Sequence, residues 1–133
     1  MQLDNIASTV KPEEIIGGAE ATDLSKDHML IDRIDALKPN AFGREEKQAF
    51  LAELDERLKN EIYSYYTDQS ISDTQSKRLE KIKLLWLEAQ IDYWQGEIGA
   101  YNNAIATFEA EYAAYARDYN RNHNHKMVTP RFF

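Results

Sequence analysis

The residues best suited to metal chemistry are two histidines near the carboxyl end of the chain. His123 and His125 are separated by one asparagine, so both imidazoles could reach a single ion. A zinc site needs three or four ligands held by a fixed fold, and no third ligand accompanies this pair. The letters His-Asn-His also occur in nucleases, but that chemistry needs a ββα metal fold of which the sequence shows no sign. The sequence therefore predicts no metal site.

Other groups that could do chemistry lack the spacing that catalysis needs. Gly17-Gly18 is not followed by the Gly-Lys-Ser/Thr of a phosphate-binding loop. There is no Glu-x-x-His pair for a di-iron bundle. The absence of cysteine excludes thiolate nucleophiles, thiolate metal ligands and disulfides. Adjacent carboxylates such as Glu45-Glu46 have polar neighbours, and solvation explains them. We therefore expect no enzyme activity and no cofactor.

The composition fits one helical domain that avoids nucleic acid and membranes. The chain has 133 residues, 43% of them hydrophobic, with only five Gly and three Pro; so few turn residues favour long helices. No apolar run approaches the ~18 residues of a membrane helix, and the amino terminus does not resemble a signal peptide. The net charge is −7, and the three basic residues after Asp118 make the tail +3 and the remainder −10. An acidic body repels nucleic acid, and we expect a cytoplasmic or virion protein.

Apolar spacing predicts two helices in the first half of the chain, after an extended arm over 1–22. The first helix covers 23–37, is capped by Asp23 or Ser25, and ends before Pro39. The second covers 41–68 with Asn40 as its cap. Their expected core faces are Leu30, Ile34 and Leu37 in the first, and Phe50, Leu51, Leu54, Leu58, Ile62, Tyr65 and Tyr66 in the second.

A third helix is predicted to run without a break over 73–120. It begins at a capping box formed by Ser72 and Gln75. A heptad pattern with spacings of three and four then continues across Gly96 and Gly99. A loop has no reason to preserve this phase, which favours a continuous coiled-coil helix. We call these positions the seam: Leu84, Leu87, Ile91, Trp94, Ile98, Tyr101, Ile105, Phe108, Tyr112, Tyr115 and Tyr119.

The triplet Trp94-Gln95-Gly96 resembles the turn of the small secreted helical proteins that are named for a Trp-x-Gly motif. In that family the triplet joins two antiparallel helices. The resemblance covers these three residues only, and the secretion signal that follows the helices in the family is missing here. The seam predicts a helix through the triplet, so the chain is not assigned to that family.

The lengths of the predicted helices imply an uncovered surface. A helix over 73–120 is roughly 70 Å long and the second helix roughly 40 Å, so the second covers only half of the third. The uncovered seam residues then form an oligomer interface, for which aromatic side chains favour more than two copies. The alternative is a monomeric four-helix bundle with a turn at Gly96–Gly99. The interface residues predicted in this way are Ile98, Tyr101, Ile105, Phe108, Tyr112, Tyr115 and Tyr119.

The carboxyl-terminal segment, 121–133, has no helical pattern and is predicted to be an extended tail. It ends in Arg131, Phe132 and Phe133. Buried aromatic side chains contribute strongly to protein interfaces. These three residues are therefore predicted to anchor the chain to another protein.

Three functions remain open from the sequence. The first is a structural protein that homo-oligomerises through the long helix and attaches to neighbours by its termini, as scaffold and head–tail adaptor proteins of virions do. The second is an inhibitor or adaptor whose acidic surface occupies a basic site on another protein. The third is a DNA-packaging component with a helix-turn-helix over 23–69, although its second helix begins with the mixed charges of Arg44-Glu45-Glu46-Lys47.

Overall fold

The computed structural model describes the backbone of residues 18–123 and the side chains of residues 24–123. Over this range the chain is an all-α bundle of four helices without strands. None of these helices combines the length and apolarity that crossing a membrane requires. The helices are α1 (Gly18–Leu37), α2 (Arg44–Glu61), α3 (Asp73–Trp94) and α4 (Ile98–Asn122), and a short 3₁₀ helix (Tyr63–Tyr65) follows α2.

Successive helices run antiparallel, and α3 is the central one. Helix α3 packs against α1, α2 and α4. In the part of the chain that the structure describes, no Cα atom of α1 or α2 lies within 8 Å of a Cα atom of α4. Long side chains therefore bridge the gap between α2 and α4. The antiparallel directions follow from side-chain pairs in which one residue number rises as the other falls. Between α1 and α2, His28 pairs with Gln48 and Asp32 with Arg44. Trp86 of α3 pairs with Phe50 of α2, and between α3 and α4 Lys81 pairs with Glu111 and Arg78 with Asp118.

The core consists of two clusters at opposite ends of the bundle. The upper cluster joins α1, α2 and α3, and the lower cluster joins α2, the 3₁₀ helix, α3 and the second half of α4. Burying each large apolar side chain contributes about 1.5–3 kcal/mol. The upper cluster contains Leu30, Ile31, Ile34, Leu51, Leu87 and Ile91. The lower cluster contains Leu54, Leu58, Ile62, Tyr66, Ile82, Phe108, Tyr112, Tyr115 and Tyr119.

Local polar contacts begin α2 and α3. The predicted capping box is confirmed: the Gln75 amide donates to Ser72 Oγ at 3.2 Å, and the Ser72 amide donates to Gln75 Oε1 at 3.0 Å. Helix α2 begins later than predicted because Gly43, whose amide donates to Glu46 Oε1 at 2.8 Å, is its cap. Asn40 instead orders the preceding loop, where its Oδ1 accepts from the Phe42 amide. The predicted cap at Asn40 is therefore wrong.

The outer bounds of the first two helices also differ from the prediction. Helix α1 begins at Gly18, five residues before the expected start, so the caps expected at Asp23 or Ser25 are wrong. Helix α2 ends at Glu61 because the backbone leaves helical geometry at Ile62 (φ −123°). The following 3₁₀ turn keeps Ile62 and Tyr66 buried but leaves Tyr65 exposed. The prediction of one helix as far as residue 68 missed this turn.

The prediction of one continuous helix over 73–120 is wrong, because the chain reverses direction at Gln95–Glu97. Gly96 has φ +80°, a conformation that glycine adopts without the penalty of a Cβ atom. The Gly96 amide donates to the Tyr93 carbonyl and the Glu97 amide to the Asp92 carbonyl. This pair of bonds is the Schellman motif, which satisfies the last carbonyls of a helix. Helices α3 and α4 therefore form an antiparallel hairpin.

Candidate protein-binding surface

From Trp94 onward, the fold divides the seam into a buried half and an open half. The buried half comprises Phe108, Tyr112, Tyr115 and Tyr119, all of which belong to the lower cluster. The open half lies at the turn between α3 and α4 and comprises Trp94, Ile98, Tyr101 and Ile105. Trp94 and Ile98 are 62% and 54% exposed, and Tyr101 and Ile105 are partly buried. Trp94 and Ile98 are thus largely exposed, whereas Phe108, Tyr112, Tyr115 and Tyr119 are buried within the chain.

The buried half corrects the predicted oligomer interface. The prediction assumed that no part of the chain could cover these residues, but the hairpin returns α4 alongside α2. Tyr112 Oη donates to Glu61 Oε1 at 2.8 Å, and Tyr63 and Tyr115 share a hydroxyl hydrogen bond of 2.7 Å. Phe108 lies 5.1 Å from Trp86, measured between ring centroids. The expectation that Phe108, Tyr112, Tyr115 and Tyr119 lack intrachain partners is therefore wrong.

The open half has a defined geometry around the turn. The Tyr93 ring lies 5.1 Å from the Trp94 ring and 5.3 Å from the Tyr101 ring, so the three aromatic side chains are in mutual contact through Tyr93. Tyr93 itself is 48% exposed. Contacts between rings restrict their rotamers before any partner arrives, which lowers the entropy lost on binding. Ile98, Tyr101 and Ile105 of the predicted interface lie here, beside Trp94.

An ion pair between α1 and α3 stabilises the bundle behind this surface. Asp92 is fully buried, and Lys38 Nζ lies 2.8 Å from its Oδ1. Within residues 24–123, neither carboxylate oxygen has a hydrogen bond of good geometry. The interaction with the Asp92 carboxylate raises the pKa of Lys38 above its ordinary value. The pair therefore joins the end of α1 to the last turn of α3.

A cluster of tyrosine side chains fills the space between α2, the 3₁₀ helix and α4. Burial raises the pKa of Tyr115 and of Tyr119 to about 12. Burial also raises the pKa of Tyr63, together with its interaction with Tyr115. Since desolvation disfavours the charged phenolate, ionisation of these hydroxyl groups destabilises the fold.

We expect the bundle to unfold in alkali as these tyrosines ionise. An unfolded tyrosine has a pKa of about 10, so the stabilisation is complete below pH ~10 and is lost as the pH rises towards about 12. Circular dichroism and tyrosinate absorbance, recorded together, measure this transition. The variant Tyr63→Phe/Tyr115→Phe keeps both rings and should unfold at a higher pH. The exposed control Tyr65→Phe should not move the transition, and equal shifts in both variants would contradict the assignment.

His123 has a structural environment. Its ring stacks on Tyr119 with centroids 3.7 Å apart, and its Nε2 lies 2.7 Å from the Ser70 carbonyl. Its Nδ1 lies 3.1 Å from the Tyr119 carbonyl. Both nitrogens thus face backbone oxygens beside a shallow cavity of about 480 Å³. Over the described residues, no group of three or more His, Asp or Glu side chains could hold a metal ion.

The basic residues at the start of α2 are engaged within the chain. Arg44 pairs with Asp32 at 2.8 Å, and the buried Lys47 pairs with Asp35. The side chains of Glu45 and Glu46 remain exposed beside them. A recognition helix needs free cations to contact phosphate, so this geometry gives no support to the helix-turn-helix alternative.

Two parts of the predicted surface have different outcomes. Arg131, Phe132 and Phe133, the predicted anchor, lie outside the described residues. Tyr93 and Trp94 are absent from the predicted interface, because the prediction places both inside one continuous helix. Gly96 was the signal for Tyr93 and Trp94, since a glycine just past the end of a helix favours a turn. A turn there places these two aromatic side chains at an exposed end of the bundle.

The Trp94-Gln95-Gly96 triplet spans the end of α3 and the start of the hairpin turn, so the prediction of a helix through it is wrong. Comparison of the whole chain with family models, curated proteins and solved structures gives no significant match.

Proposed function

We propose that the chain is a non-enzymatic assembly protein that associates with further copies of itself through the open half of the seam. The observation that supports this most is the exposure of Trp94 and Ile98, at 62% and 54%, in a row that continues directly into the buried core. Large apolar side chains grouped on a surface are typical of interaction sites. Tryptophan and tyrosine in particular dominate the binding energy of interfaces.

The proposal keeps the assembly role predicted from the sequence but changes the surface. The binding residues become Trp94, Ile98, Tyr101 and Ile105, with Tyr93 packed against them. The role of Arg131, Phe132 and Phe133 as a second anchor, which attaches the assembly to another protein, stays a prediction. Scaffold and head–tail adaptor proteins of virions remain the class of function that this architecture resembles.

The test is the absolute mass in solution, by light scattering behind a sizing column at low and high salt. We expect the wild-type chain to form an oligomer that resists salt, because an apolar contact does not depend on charge screening. Trp94→Ser/Ile98→Ser should give the monomer mass of 15.5 kDa. Tyr65→Ser, which removes an aromatic of similar exposure (59%) at the other end of the bundle, should leave the oligomer intact.

A wild-type monomer at every concentration and salt would contradict this proposal and favour the second candidate, an acidic inhibitor or adaptor. That candidate is supported by the outer face of α2, where Glu45, Glu53 and Glu56 are exposed. It predicts 1:1 binding to a basic protein surface that weakens as salt rises. Glu53→Gln/Glu56→Gln should weaken such binding, and Trp94→Ser should not.

A further inference from the structure

The seam keeps its helical phase through a turn that does not require it. Trp94 and Ile98 are four residues apart, and Tyr101 follows after three, as in an unbroken helix. The turn between them has Gly96 at φ +80°, so no helical register passes through it. A continuous phase is what a straightened turn, with α3 and α4 as one helix, requires.

Helix α4 is joined to the rest of the bundle by three turn residues and by side-chain contacts. Arg57 binds Glu109 through two hydrogen bonds of 2.9 and 3.2 Å. Tyr66 Oη donates to Asn120 Oδ1 at 2.9 Å. Arg57 and Tyr66, the partners of α4 in these bonds, precede the turn in the chain. A second copy of α4 can therefore make every one of these contacts if the turn opens, which is the condition for exchange of an element between protomers.

We infer that two copies of this chain exchange α4, with the Gln95–Glu97 turn straightened so that α3 and α4 form one helix in each copy. Each α4 then lies on the α3 of the other copy, and the two long helices run antiparallel with their turn positions side by side. Trp94 and Ile98 of one copy meet the same residues of the other across the two-fold axis. This arrangement buries the open half of the seam.

Energetics decide between the closed and exchanged forms. Exchange replaces the Schellman bonds by ordinary helical bonds and recreates the lower cluster, so these contributions nearly cancel. It places Gly96 inside a helix, which is unfavourable, and it lowers the entropy of two free chains. Burial of Trp94 and Ile98 opposes both terms. The aromatic seam does not obstruct such a dimer, because Phe108 and the tyrosines occupy the same core as in the closed chain.

Substitution of Gly96 tests the inference, which rests on the proposed self-association. Gly96→Ala strains the closed turn at φ +80° and favours a straight helix. Because both chains of a dimer benefit, the association constant should rise by about a thousandfold. Gly99→Ala is the matched control: Gly99 is helical in both forms and a Cβ there meets no atom within 4 Å, so its association constant should stay within about threefold. Light scattering of the full chain measures both.

A crosslink distinguishes exchange from simple docking of the exposed tips. The chain has no cysteine, so K81C and E111C introduce a unique pair at positions whose wild-type side chains approach to 3.5 Å across α3 and α4. In the dimer fraction, a short bismaleimide should join different chains and give a covalent dimer on a denaturing gel. In the monomer fraction it should join one chain to itself.

The possible failures have different meanings. A dimer that crosslinks only within chains would overturn the exchange and leave the proposed self-association intact. A Gly96→Ala chain that remains monomeric, beside a wild-type chain that is also monomeric, would overturn both. If Gly96→Ala does not fold, the dimer fraction of the K81C/E111C chain with Gly96 retained gives the same information.

Discussion

Phe108→Ala should lower the free energy of unfolding by about 3–5 kcal/mol, the usual loss for a buried phenylalanine. The Phe108 side chain is 0% exposed and packs against the rings of Trp86 and Tyr112, with centroid distances of 5.1 and 5.5 Å. The Arg57 guanidinium lies 5.4 Å from its ring centroid. Loss of the Phe108 ring leaves a cavity that these neighbours cannot all close. Since domains of this size have only about 5–15 kcal/mol of stability, the variant should be close to unfolding at ambient temperature.

Ile98→Ala is the matched control for this experiment. Ile98 belongs to the same seam and the same helix but is 54% exposed, so its replacement should cost less than about 1 kcal/mol. Urea unfolding, followed by circular dichroism at a concentration where the chain is monomeric, measures both values. Similar small losses for the two variants would mean that the second half of α4 does not pack within the chain, and would contradict the hairpin.

Lys38→Met should destabilise the bundle by about 3–5 kcal/mol, because it leaves the Asp92 carboxylate buried without a counter-ion. The Asp92 side chain is fully buried, whereas that of Lys38 is 22% exposed, so the carboxylate bears most of the desolvation. Replacing both charges in Lys38→Met/Asp92→Asn should restore most of the loss, since neither position then carries a charge. Urea unfolding at neutral pH measures the single and double variants side by side.

Arg44→Met provides the comparison for that ion pair. Arg44 also pairs with an acidic residue of α1 at 2.8 Å, but its side chain and that of Asp32 are 46% and 65% exposed. Exposed pairs contribute about 0–1 kcal/mol, so this variant should be nearly as stable as the wild type. Two results would contradict this role of Lys38: a Lys38→Met variant as mild as Arg44→Met, or a double variant as unstable as Lys38→Met. Either would mean that the buried Asp92 carboxylate does not need Lys38 as its counter-ion.

Local sequence patterns were sufficient where neighbouring residues decide the structure. Ser72 and Gln75 form the predicted capping box because both partners lie within one helical turn. Leu30 and Ile34, and Leu51, Leu54 and Leu58, lie on buried helix faces as their spacing predicts. Leu37, predicted on the same face as Leu30, is 68% exposed, so that part of the prediction is wrong. The all-α class follows from the same patterns together with the scarcity of turn residues.

The same patterns failed where two local signals compete. At residues 94–101 the heptad phase favours a helix, and Gly96 favours a C-terminal stop. The phase predicts a continuous helix, but the structure ends the helix, because folding back gives Phe108, Tyr112, Tyr115 and Tyr119 partners within the chain. The free energy of burying four large side chains exceeds what one helical turn contributes.

The sequence by itself determined the helical class, the beginning of α3 and the residues of the seam, since all of these depend on contacts within a few residues. Only the tertiary structure decided which half of the seam is core and which half is surface, and that Asp92 lies in the interior against Lys38. These outcomes depend on residues such as Phe50 and Trp86 or Tyr63 and Tyr115, which are 36 and 52 positions apart. No periodicity along the chain encodes contacts at such separations, because they exist only after the connections between the helices have reversed the chain.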